Sequence, residues 1–141
     1  MSSRQSTVQY PTANAKLHSR NSLQIQEVYE QIHDTVDHAV DLHRRHHVLK
    51  LHVELPILDQ LNSLAQAHPV QWHAVARKRK SALCLWLFQV AIAAASAGHG
   101  PASLDLLERL PGVPGAAEGR RGLLRELMAW HDAMADLQTV A

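Results

Sequence analysis

Eleven of the 141 residues are histidines, and imidazole is the side chain best suited to bind a transition metal or exchange a proton near neutral pH. Their spacing sorts them. His43 and His47 stand four apart, so on a helix they share a face, and they continue the apolar stripe of Ile32, Val36 and Val40. Two imidazoles so arranged can chelate one divalent transition metal when another helix adds ligands. His73 and His131 are the candidates for that second pair. Bundle sites of this kind also carry inward-facing carboxylates, whereas the carboxylates near His43 point away from the stripe. The plainer reading of His43 and His47 is as edge residues where a helix leaves the core, with no cofactor. His33 with Asp37, and Asp34 with His38, are i,i+4 pairs on the acidic face, each worth roughly 0.2–0.5 kcal/mol to a solvated helix.

Other groupings that make or break bonds are missing. The chain has no GxxxxGK[ST] phosphate loop, no GxGxxG, no HExxH and no GxSxG. The single cysteine, Cys84, lies between Leu83 and Leu85 in the most apolar segment, a setting that keeps a thiol protonated and unreactive. One cysteine also excludes a disulfide framework. These absences lead to the expectation of a protein that is not an enzyme.

A third chemistry is nucleic-acid binding. Between Leu49 and Leu55, four apolar residues alternate with Lys50, His52 and Glu54, and Leu55-Pro56 follows. Strict alternation is the pattern of a half-buried strand. The stretch 47–65, HVLKLHVELPILDQLNSLA, resembles the opening of ribbon-helix-helix DNA-binding proteins. In that family a strand runs into Leu-Pro, the proline starts the first helix, and two chains pair their strands into a ribbon that enters the major groove. The resemblance implies that Lys50 and His52 face bases, together with Glu54, where the family prefers Arg. It also implies that Arg79, Lys80 and Ser81 meet phosphates. Arg44, Arg45, Arg77 and Lys78 extend the same basic set.

The charge pattern bears on partners more than the net charge of +1 does. Asn21 to Leu42 holds Glu27, Glu30, Asp34, Asp37 and Asp41 with no Lys or Arg. His43 to Lys80 holds Arg44, Arg45, Lys50, Arg77, Lys78, Arg79 and Lys80 against Glu54 and Asp59. Such asymmetry is matched either within the fold, across a dimer, or by a partner. With 46% hydrophobic residues the chain is too apolar for wholesale disorder. Its length suits one domain. The first twenty residues lack an apolar run and read as a flexible arm rather than a secretory signal, so a lone thiol favours a cytoplasmic setting. Ala82 to Ala95 is an apolar run of 14 residues broken by Gln89. A membrane span needs about 20, so this segment reads as a helix buried on all sides, and a membrane partner is not expected.

The elements that position these residues are mainly helical. A first helix is expected from Asn21 or Ser22 to about His47, with Ile25, Val28, Tyr29, Ile32, Val36, Ala39 and Val40 inward. The Leu49–Leu55 segment either continues that helix, runs irregularly, or forms a single strand that pairs across a dimer. Pro56 suits the first position of a helix ending near His68. Pro69 opens the next helix, which either runs on to Ser96 or restarts at Ser81. Gly98-His99-Gly100-Pro101 is a stop, Ser103 an N-cap for a short helix, and Pro111 to Gly115 a turn. The last helix carries Leu123, Leu127, Trp130, Met134 and Leu137 at spacings 4, 3, 4, 3, a heptad seam widened by Leu124 and Met128. That seam serves the core or a partner, with Trp130 as the anchor.

Together these features describe a flexible arm over 1–20 and one all-α domain over 21–141, a bundle of about five helices. The function expected is regulatory, through protein–protein association as a homodimer or with another macromolecule. A dimeric DNA-binding regulator and a histidine-based metal-binding bundle are the alternatives.

Overall fold

The computed structural model describes the backbone of residues 13–46 and 49–140, with side chains over 23–41 and 49–139. The described chain is a mainly α bundle built from α1 (Ala13–His46), α2 (Leu51–Ala67), α3 (Pro69–Lys78), α4 (Lys80–Ser96), α5 (Ala102–Asp105) and α6 (Glu118–Val140), with a 3-10 turn at Leu106–Glu108.

The bundle is organised around α4. Its sequence has no polar stripe, and Leu83, Trp86, Leu87, Val90, Ala91, Ala94 and Ala95 are all buried. A helix apolar around most of its circumference must be covered from several directions. Accordingly α1, α2, α3, α5, the 3-10 turn and α6 all pack against it, although the cover is not complete as the apolar run implies: Leu85 is 46% exposed, on a side of α4 that these elements leave open. Ile32, Val36, Ala39 and Val40 of α1 and Ile57, Leu58 and Leu61 of α2 face inward, as their spacing predicts, with Ala65 beside them. Val28 and Tyr29 are half-buried, and Ile25, expected inward, is exposed because the bundle does not reach that end of α1.

The boundaries differ from the sequence reading in four places. Helix α1 begins by Ala13, so Asn21 and Ser22 lie inside it and the arm/domain boundary at 20 falls within a helix. Residues 1–12 of that arm lie outside the described residues. The strand alternative over 49–55 is not formed: α2 starts at Leu51, and Pro56 sits in its second turn instead of at its start. The lost proline N–H is the donor that would have reached the carbonyl of His52.

The physical reason lies in Glu54. It is almost fully buried, and its carboxylate accepts a 2.8 Å hydrogen bond from the indole N–H of Trp86. Glu54, Ile57, Leu58, Leu61 and Ala65 form the buried face of α2. A carboxylate at a core position hides the helical period and leaves an apparent alternation. The strand implied by the ribbon-helix-helix resemblance is therefore replaced by the first turn of α2.

The third concerns the junction of α3 and α4: of the two alternatives, the helix restarts, at Lys80 and not at Ser81, with the break at Arg79, whose backbone leaves the helical region (φ −111°, ψ 20°). Neither Gly nor Pro marks it, and Arg is a good helix former. The side chain instead reaches α1, where its guanidinium lies 3.2 Å from Asp37 Oδ1 while His33 Nδ1 approaches Asp37 Oδ2 at 3.1 Å. One cation of the basic middle is thus matched to the acidic helix within the fold.

The fourth concerns Ser103. It lies within α5, fully buried, and its hydroxyl donates to the Gly100 carbonyl at 2.6 Å, so it closes the preceding turn rather than capping α5. The stop at Gly98 is as the sequence indicates. Gly98 has φ +84°, and the N–H groups of Gly98 and His99 reach the carbonyls of Ala95 and Ala94. This closure needs a left-handed residue after the helix. Farther on, Gly115 lies against Leu107, where a Cβ would fall 2.6 Å from the backbone carbonyl oxygen. The indole of Trp72 ties α3 to this turn through a 2.8 Å bond to the Pro111 carbonyl.

Trp86→Phe removes the only hydrogen bond described for the Glu54 carboxylate and is expected to destabilise the fold by about 1–3 kcal/mol in urea denaturation. In the double variant Trp86→Phe/Glu54→Leu no unpartnered carboxylate is left, so part of that loss is expected to be recovered.

Candidate functional site

The last helix has two apolar faces. Successive helical residues are turned by about 100°, so Leu123 and Leu124 point in very different directions. Leu124 is 1% exposed and joins the core, with Leu127 and Met128 packed beside it. The seam beside this face points to solvent: Leu123 is 61% exposed, Trp130 61%, Met134 38% and Leu137 63%. Of the five seam residues only Leu127, at the border between the faces, is partly covered.

The attachment of α6 is confined to its first part. Arg120 lies over the ring of Phe88 on α4, 5.4 Å from its centroid. Arg121 approaches Glu108 at 3.5 Å and donates to the Ala116 carbonyl. His131 is half-buried against Gly98, where an added Cβ would lie 2.8 Å from its Cε1. Every residue from Asp132 to Thr139 is exposed. The helix therefore leaves the bundle after His131 and presents Met134 and Leu137 on an unsupported segment. Short helices without tertiary packing are marginal in water, so the apolar stripe on these turns is a surface that gains from being covered.

The other sequence candidates are placed as follows. Lys50, His52, Arg77, Lys78, Lys80 and Ser81 are exposed, while Arg79 is half-buried on Asp37. Arg44 and Arg45 fall in the last turns of α1, and their side chains, like those of His43 and His47, lie outside the described residues. His73 is exposed beside the Gly112 turn and His131 is packed on the Gly98 turn, so the two sit against different loops. Among the described residues no three His, Cys, Asp or Glu side chains gather where they could hold a metal ion. No described helix is long and apolar enough to cross a membrane.

Two features were missed from sequence. One is the buried Glu54–Trp86 pair, which no motif announces. The other is a shallow groove between α1 and α3, lined by Tyr29, Glu30, His33, Ala74, Val75 and Lys78. Its walls come from two helices, so no local pattern could reveal it. Cys84 is partly buried, as its apolar neighbours imply. Burial pushes its thiol above the ordinary range, with Lys80 and Arg120 pulling the other way.

No family model matches the chain, and neither a curated protein nor a solved structure matches it.

Two measurements test this geometry. Leu124→Ala is expected to lower stability by about 2–5 kcal/mol, whereas Leu123→Ala and Trp130→Ala should stay within about 0.5 kcal/mol of the parent, read by urea denaturation at low protein concentration. Alkylation of Cys84 by iodoacetamide should be slow at neutral pH and should rise only at a pH above that at which a free thiol responds, because the raised value keeps the thiol protonated until then.

Proposed function

We propose that this chain is a non-enzymatic binding protein that acts by macromolecular association through the free face of α6. The observation that carries this reading is the exposure of Leu123, Trp130, Met134 and Leu137 along one line of a helix whose other apolar face is already buried. A terminal helix that only closed a core would need one apolar face. This one carries a second, which the described residues leave exposed.

The chemistry of the face suits a partner surface. Interfaces are enriched in Trp and Met at their centres, and a central Trp is a common anchor. Trp130 lies midway along the seam, with Leu123 and Leu137 at its ends. Ala133, one turn farther along and next to Trp130 on the helix surface, allows close approach. A regulatory role follows most simply from such a design: the bundle holds one helix, and the helix engages another molecule.

The test is a photo-crosslinking amino acid placed at position 130 in the full chain, compared with the same group at exposed Thr139, both activated in the cells that make the protein. Discrete adducts specific to position 130 are expected. A pattern no different from that at Thr139 would overturn the reading.

A further inference from the structure

We infer that the surface which covers this face is the same face of a second copy, with the two α6 helices antiparallel. This rests on the function proposed above and specifies the partner. Three features of α6 converge on it.

The first is the uneven support of the helix. Its N-terminal part is fixed to the bundle through Leu124 and Met128 in the core, Arg120 on Phe88 and His131 on the Gly98 turn, whereas Asp132 to Thr139 stand clear. The stripe nevertheless runs continuously across both parts, from Leu123 on the anchored end to Leu137 on the free end. Antiparallel pairing lays the free end of each helix along the anchored end of the other. Parallel pairing would leave two unsupported ends to hold only one another, with both bundles crowded at one end.

The second is charge. Glu118 to Arg125 carries Arg120, Arg121 and Arg125 against one acid, Glu118. The remainder of the helix carries Glu126, Asp132 and Asp136 and no Lys or Arg. Antiparallel pairing sets the basic half of each helix beside the acidic half of the other, and parallel pairing sets like against like. Asp132, Asp136 and Arg125 lie on the side of the helix away from the stripe, so they act at longer range and bias orientation rather than form close ion pairs. The helix dipoles favour the same orientation.

The third is the pattern of the stripe itself. Spacings of 4, 3, 4, 3 fit one straight neighbouring helix of similar length, and α6 is itself such a helix. With the twofold axis near Trp130, Leu123 of each copy meets the Met134–Leu137 end of the other, and the two indoles lie side by side at the centre.

The test uses the full chain. Light scattering across a concentration series should show mass rising from 15.7 kDa to twice that value. Trp130→Ala should weaken the association at least about tenfold, with circular dichroism confirming an intact fold. Lowering the salt should tighten the parent dimer, and Asp132→Lys/Asp136→Lys should reverse that dependence. Orientation is read in a Cys84→Ser background with a short bis-maleimide. A mixture of Leu123→Cys and Leu137→Cys chains should cross-link between the two species, while Leu123→Cys alone should not, because the two positions are about 20 Å apart along the axis.

Monomer at every concentration would overturn the inference, as would a dimer indifferent to Trp130→Ala. Self-linking of Leu123→Cys would overturn the antiparallel arrangement. A monomer whose position 130 still yields adducts of another mass would remove the second copy as partner and leave the proposed function standing. A monomer with no such adducts would remove both.

Discussion

Helix α4 imposes the arrangement of everything around it. Between Ala82 and Ala95 only Gln89 is polar, and such a helix cannot rest on a single neighbour without leaving apolar surface in water. Burial of that surface, at roughly 25 cal/mol per Å², is what draws α1, α2, α3, α5 and α6 onto it from different sides. The one polar contact described deep in this region, between Trp86 of α4 and Glu54 of α2, has a consequence for specificity. A buried carboxylate tolerates few positions of its donor, so the bond fixes how α2 lies on α4 as well as holding the two together.

The same constraint explains why α6 has a face to spare. By the time the last helix is added, most of α4 is covered. What remains accepts one edge of α6 through Leu124 and Met128, and the heptad seam about a quarter-turn away finds no partner among the described residues. The anchored end, held by Arg120 on Phe88 and Arg121 near Glu108, sets the direction in which the free end projects. A rigid base with an amphipathic extension is a reasonable design for association, because the base orders the helix before the partner arrives and reduces the entropy lost on binding.

The α1–α3 side shows how charge is handled inside the fold. The Asp37 carboxylate lies close to His33 of its own helix on one oxygen and to Arg79 of the α3–α4 junction on the other. This draws one member of the basic run Arg77–Lys80 onto the acidic helix while Arg77, Lys78 and Lys80 stay exposed. The helix break at Arg79 and this ion pair occur together; the sequence left open whether the helix runs on or restarts at Ser81, and the pairing with Asp37 is not visible locally.

Periodicity alone determined the helical class, the inward faces of α2 and of α1 from Ile32 onward, the burial of most of α4 and the stop at Gly98, because each depends on side-chain spacing or on a backbone state that few residues adopt; it did not mark Leu85 or Ile25 as residues the bundle leaves exposed. It also drew the seam of α6, though not which way the seam would face: two stripes a hundred degrees apart look alike until the bundle has chosen one. Tertiary structure made that choice, and it made two others. It pulled Glu54 inside to meet Trp86, deciding for helix where the alternation also allowed a strand, and it set the restart of the helix at Arg79, whose side chain meets Asp37, rather than at Ser81. In all three cases the deciding contact joins residues distant in sequence, and such contacts leave no periodic trace in the segments they connect.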